Sequence, residues 1–304
     1  MARRSDCQCR SGRGTDFDPD PDQPQRHLVA FWHQDHRSRA LDHNSFVMTA
    51  QFSVFGVPNI PMIEHGDSLG DIILNAMEEA EQSLRNGDVV CLAQKIVSKA
   101  EGQMRALASV EPNPEAQALA EATHKDPRMV QLILDESTEV LRHKPNVLIV
   151  RHKLGIVGAH AGIDQSNIDH QDQEQALLLP KDPDATAARL RDHLQQKTGA
   201  ELGVVITDSH NRPWRMGTIG CAIGSAGIRV LDNQVGGQDI YGRTLQATLI
   251  NRADAIASAA TLVMGETTEK LPVVIVRGLN SNQTMAEGEN AALINRPLEE
   301  DLFR

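Results

Sequence analysis

Four oxygen-bearing residues stand where an apolar run ends: Asp164 after "VGAHAGI", Asp208 and Ser209 after "LGVVIT", and Glu266 after "TLVMG". Ends of buried elements are rigid mounts, and a charged group placed there requires a partner. Carboxylates and hydroxyls are hard donors that suit Mg2+ or Mn2+ rather than zinc. The same residue types also build turns and helix caps. For Asp164 and Asp208 the two roles weigh evenly on local sequence. Asp169 and Asp254 read as turn or cap residues. The stretch "VGAHAGIDQSNIDHQDQ" (157–173) lacks the D-x-[DN]-x-[DN]-G pattern of an EF-hand loop.

Cations recur in short motifs: Lys95 and Lys99 in "AQKIVSKAEG", Arg212 and Arg215 in "NRPWR", Arg243 in "YGR" and Arg277 in "VRG". An apolar strand that ends in Lys and Gly presents a cation to a phosphate. A lone Lys is ordinary solvated charge, and two on one strand-to-turn segment tilt that balance only modestly. There is no G-x-x-x-x-G-K-[ST] Walker loop and no G-x-G-x-x-G Rossmann fingerprint; G-x-S-x-G and H-E-x-x-H are also missing. Gly217, Gly220, Gly224 and Gly227 are spaced for close packing or a flexible loop. His160 and His210 flank the acidic motifs and read as neutral packed or exposed side chains.

The elements that must position these residues are mixed. "QFSVFGV" reads as a strand. "SLGDIILNAMEEAEQSLRNGD" has helical periodicity, with Ser68 as cap and Gly87 as stop. "DVVCLAQKIVSKAEG" reads as a buried strand running into a polar turn. Residues 113–141 read as two helices broken near Asp126-Pro127, and "NVLIVRHKLGIVGAHAGID" as a strand pair. A helix is expected from about Pro183, then the strand "ELGVVITDSHNRPWR", a loop "DNQVGGQDIYGRTL", a helix over about 248–264 and the strand "PVVIVRGL". Without strict βαβ alternation, an α+β fold with a mixed sheet is expected.

Bulk properties narrow the class. The chain has 304 residues, a formal net charge of -11 and 40% hydrophobic residues. No apolar run approaches the roughly 20 residues of a membrane helix, so a soluble protein without a membrane partner is expected. The acidic balance argues against nucleic acid as a partner, and anions must then be held by local cations or metal ions. Cys7, Cys9, Cys91 and Cys221 form no disulfide framework, which suits the cytoplasm. Residues 1–47 differ from the rest: seven Arg without Lys and seven Asp without Glu cancel, so the whole -11 belongs to 48–304. The segment is expected to be a disordered tail or an upstream extension of the reading frame, with one ligand-binding domain, open to division into two subdomains, over 48–304.

Taken in order, "IPMIEHGD", "AQKIVSKAEG", "GIDQSN", "VVITDSHNRPWR", "DIYGR", "LVMGE" and "VVIVRGLN" resemble the coenzyme F420-0:L-glutamate ligase family, the gamma-glutamyl ligases of the deazaflavin coenzyme. The resemblance runs from about Phe52 to Asn280. It implies a gamma-glutamyl ligase fold, with GTP, L-glutamate and coenzyme F420-0 as substrates, two divalent cations (Mg2+ or Mn2+), an optional K+ and a homodimer. By the same resemblance Asp164 and Asp208 would bind one divalent ion, and Ser209 and Glu266 would help bind a second; Ser209 stands where Thr is usual and keeps the hydroxyl. Ile60, Pro61, Met62, Ile63, Gln94, Lys95, Lys99 and Asn167 would line the GTP site. The loop Met264, Gly265, Glu266, Thr267, Thr268, Glu269, Lys270, Leu271 would close over it. Lys99 and Asp208 would carry the chemistry. The chain ends 24 residues after Asn280, so the stand-alone form is expected, without the nitroreductase-like domain of some bacterial members. Two other classes fit the same ligands: a metal-dependent phosphohydrolase, and a non-catalytic nucleotide- or deazaflavin-binding protein. The intact oxygen set speaks against the latter.

Overall fold

The computed structural model describes residues 51–170, 172–280 and 284–301. The expected N-terminal tail, Cys7 and Cys9 lie outside these residues. In chain order the regular elements are β1 (Ser53–Gly56), α1 (Leu69–Glu79), β2 (Val89–Ala93), α2 (Gln94–Ala100), β3 (Met104–Ala106), α3 (Pro114–Thr123), α4 (Pro127–Asp135), β4 (Ser137–Lys144), β5 (Val147–His152), β6 (Val157–Ala159), β7 (Gln175–Leu177), α5 (Pro183–Thr198), β8 (Gly203–Asn211), β9 (Thr218–Ala226), β10 (Leu231–Asn233), β11 (Leu249–Asn251), α6 (Arg252–Met264) and β12 (Val273–Arg277). Among the described residues no helix is long and apolar enough to cross a membrane.

The main sheet has the order β1-β12-β2-β8-β9. Only β2 and β8 run parallel, with Val89 beside Gly203 and Ala93 beside Thr207; the other pairs are antiparallel. The mixed sheet and separate helices make the fold α+β. The Val- and Ile-rich runs of β2, β8 and β12 are apolar on both faces because both faces are covered. Val90, Leu92, Val204, Ile206, Val273 and Ile275 pack toward α1 and α5. Val89, Cys91, Val205, Val274 and Val276 pack toward Ala257, Ala260 and Met264 of α6. Each fully buried aliphatic side chain of this kind contributes roughly 1.5–3 kcal/mol. A further core joins α3 and α4 to β5 through Ala116, Ile133, Leu148 and Val150.

Several elements differ from the sequence reading. Residues 94–100 form a helix, not the end of a strand and a turn. The β-branched pair Ile96-Val97 favours a strand locally. In the fold both are buried against the sheet at helical spacing, and Ser98 Oγ donates to Gln94 Oε1 at 2.9 Å across one turn. The second expected helix stops at Asp135, and residues 137–144 pair with β5 as a strand. Helix α1 ends at Glu79 rather than near Gly87, whose N–H instead donates to the Glu201 carbonyl at 2.8 Å. Ser68 stands at the start of α1, but its hydroxyl donates to Asp71 Oδ2 at 2.6 Å rather than accepting a backbone N–H. The glycine-rich stretch is mostly strand β9, not a flexible loop. A Cβ at Gly220 would press on Thr261 Oγ1 and come within 2.5 Å of the Ala257 carbonyl oxygen, and one at Gly224 would come within 2.5 Å of the Pro183 backbone. These glycines let α6 and α5 lie directly on the strand.

Arg277, at the end of β12, is paired within the protein and does not line the cavity at the carboxyl ends of β2 and β8. Its guanidinium pairs with Asp88 at 2.7 Å, and the Asp88 side chain is 1% exposed. Gly220→Ala should overpack the seat of α6 and lower stability by about 1–3 kcal/mol, read as a lower denaturant midpoint with an unchanged slope.

Candidate functional site

The carboxyl ends of β2 and β8 lie side by side, and a cavity of about 580 Å³ opens there. Four elements wall it. The segment 60–63 contributes Ile60, Pro61, Met62 and Ile63. Ala93 and the first turns of α2 contribute Gln94, Lys95, Ile96 and Lys99. The end of β8 contributes Thr207, Asp208 and Ser209. The end of α6 and the loop beyond it contribute Thr261 and the run from Met264 through Pro272. Asn167, Ile168 and Asp169 close the remaining side. Of the nucleotide, metal and catalytic residues that the resemblance implies, all but Asp164 line this cavity.

Because 94–100 is helical, Lys95 and Lys99 are one turn apart and project together toward the loop after Ile163. Lys95 Nζ reaches Asp164 Oδ2 at 2.6 Å and Ser166 Oγ at 2.8 Å. Lys99 Nζ donates to the Asn167 carbonyl at 3.0 Å. Burial, then the neighbouring Lys95, hold the Lys99 ammonium below its ordinary range. For Asp164 burial acts upward, but the Lys95 hydrogen bond and the Ser166 N–H outweigh it and leave the carboxyl below the usual range. Asp164 also shapes its own turn, since Ser166 N donates to Oδ1 at 2.8 Å. Its backbone bridges Leu177 of β7. Asp164 is therefore a turn former, one of the two roles open to it on local sequence, and its charged partner here is Lys95.

On the opposite wall Ser209 Oγ lies 2.7 Å from each carboxylate oxygen of Glu266. Asp208 Oδ2 lies 3.1 Å from His210 Nε2, so His210 is engaged rather than merely packed. Burial pushes His210 down, yet the Asp208 hydrogen bond reverses the sign and raises it. Gly265, with φ +69°, ends α6 and leaves no room for a Cβ against the Glu269 carboxyl. That turn aims Glu266 back at Ser209. Asp254 is a structural cap: its Oδ1 accepts from Ala222 N at 2.9 Å and its Oδ2 from Asn251 Nδ2 at 2.6 Å, as expected of it.

Among the described residues no three His, Cys, Asp or Glu side chains converge as a cluster. What does meet is oxygen: the Ser209 hydroxyl lies on the Glu266 carboxylate, and Asp208, the next strand residue, borders the same cavity. Such a set suits a hard divalent cation that takes its remaining ligands from water and phosphate. Asp169, expected to be a solvated turn, is exposed but borders the cavity. Thr207, Thr261 and Ile168 were not singled out from sequence; strand alternation two residues before Ser209 was the available signal for Thr207. Arg212, Arg215 and Arg243 are not part of the wall.

Two lysines and a set of carboxylate and hydroxyl side chains thus border one largely apolar cavity. The family described as F420-0:gamma-glutamyl ligase matches residues 58–278, a span that includes every candidate site residue. A coenzyme F420:L-glutamate ligase of Methanothermobacter thermautotrophicus is 41% identical over 252 residues, 83% of this chain and 98% of the relative. One of Methanopyrus kandleri is 41% identical over 249 residues, 82% and 96% of the two chains. One of Haloarcula marismortui is 41% identical over 230 residues, 74% and 86%. The chain belongs to the F420-0:gamma-glutamyl ligase family and is a ligase.

Lys95→Met should cost no more than about 1 kcal/mol, since the pair it breaks is partly exposed. Amide hydrogen exchange over 165–170 should nevertheless accelerate; unchanged exchange there would show that Lys95 does not anchor the loop.

Proposed function

We propose that this chain joins L-glutamate to coenzyme F420-0 and extends the product through gamma-linked glutamates, driven by GTP. The observation that carries the reading is one cavity, in a member of this ligase family, that Lys95 and Lys99 line together with Asp208, Ser209 and Glu266. Ile60, Pro61, Ile63, Met264 and Leu271 offer apolar surface for a purine.

A carboxylate does not form an amide unaided, because its oxygen is a poor leaving group. In this reading the terminal phosphoryl group of GTP passes to the acceptor carboxylate, which leaves GDP and an acyl phosphate. The glutamate nitrogen then attacks the carbonyl carbon. The C–O bond to phosphate breaks, phosphate departs with the electron pair, and the amine proton goes to solvent. Lys99 sets its ammonium against phosphoryl oxygens. Ser209 and Glu266 would hold one divalent cation, and Asp208 with Asp164 another, Mg2+ or Mn2+ in each case. Bound ions of this kind neutralise phosphate charge and orient in-line transfer. Asp164 joins this set only if Lys95 lets go of it, which frees a second ammonium for phosphate. The active form in this reading is a homodimer, and the exposed Trp214, Met216, Ile240 and Tyr241 offer apolar surface for a second copy.

Incubation of coenzyme F420-0 with GTP, Mn2+ and L-glutamate should give a mass ladder of added glutamates. Phosphate release that is independent of the acceptor would replace the ligase reading with a phosphohydrolase. Asp208→Asn should stay folded and lose ligation; wild-type turnover in that variant would remove Asp208 from the site. Lys99→Ala should weaken GTP about tenfold, the equivalent of about 1.4 kcal/mol for one charge-assisted contact, measured by titration calorimetry.

A further inference from the structure

One cavity residue is left without a task. Thr207 is 3% exposed, and its Oγ1 is buried with no hydrogen-bond partner among the described residues. The other buried atoms in that state belong to Arg151, His152, His160, Arg191 and Ser225, and none of these residues lines the cavity. Strand alternation puts Thr207 on the same face of β8 as Val205, which packs on α6, and Ser209, which reaches Glu266. Its lateral neighbours in the sheet, Ala93 and Ala222, present only methyl groups. The nearby cavity hydroxyl of Thr261 is already committed to the Ala257 carbonyl at 2.9 Å.

A buried hydroxyl without a partner is unfavourable, and valine has the same shape and an equal preference for strands. The fold therefore has no use for the oxygen, whereas a ligand in the cavity does. The hydroxyl lies at the β8 end, beside the oxygen donors of Asp208 and Ser209. We propose that Thr207 is a binding residue whose Oγ1 donates a hydrogen bond to a phosphate oxygen of the nucleotide. The proposal rests on the GTP reading above and adds a contact to it.

Titration calorimetry of the full chain with GTP and Mg2+, and separately with guanosine, tests it on wild type, Thr207→Val and Thr207→Ser. Thr207→Val should bind GTP about tenfold or more weakly, with guanosine unchanged. Without ligand it should melt no lower than wild type. Thr207→Ser, which keeps the hydroxyl, should bind GTP within about threefold of wild type. If Thr207→Val fails to fold, Thr207→Ala removes the same oxygen and takes its place. Wild-type affinity for GTP in the hydroxyl-free variant overturns this inference alone. An equal loss for GTP and guanosine overturns the phosphate assignment. A wild-type chain that binds no GTP overturns both this contact and the nucleotide reading.

Discussion

The site depends on one pairing, the parallel ladder between β2 and β8. Its register puts Ala93 level with Thr207. Beyond this level β2 turns into α2, while β8 runs on beside β9 through Asp208 and Ser209. Parallel strands bring like ends together, and open sheets bind ligands beyond the carboxyl ends of such strands. In the antiparallel arrangement used elsewhere in this sheet, the lysine helix and the oxygen donors would stand at opposite edges.

Charge is arranged with the same economy. A chain with net charge -11 must confine its attraction for anions to a small region. It does so with Lys95 and Lys99 on one face of a seven-residue helix. Without a ligand, these ammoniums are not left bare: Lys95 rests on Asp164 and Ser166, and Lys99 on a carbonyl. Both partners lie on the loop after Ile163. The same contacts thus shape one wall of the cavity and keep the cations from repelling each other unchecked.

Much of this was legible in the sequence. The three central strands announced themselves as Val/Ile runs, and the oxygen donors stood at their ends or at the end of α6. The order of seven short motifs pointed to the family. What was hidden depended on tertiary context. Ile96 and Val97 resemble strand residues until the sheet surface beneath them makes a helix the better burial. Residues 137–141 continue a helical pattern but have β5 to pair with. Asp169 reads as solvated until the loop folds back toward Lys99, and Thr207 reads as an ordinary strand residue because nothing in a sequence reveals a hydroxyl with no acceptor. The spacing of Gly220 and Gly224 fits close packing or a flexible loop alike, and only the fold shows that they seat α6 and α5.

Those two glycines carry a consequence for the chemistry. Glu266 hangs from the end of α6, and Ser209 belongs to the strand paired with β9, so the distance between them is set by how deep the helix lies against that strand. The absent side chain at Gly220 works as a spacing gauge: it is the empty volume into which Thr261 and the Ala257 carbonyl settle. Evolution can therefore tune the reach of the oxygen donors from beneath, through residues that never meet a substrate.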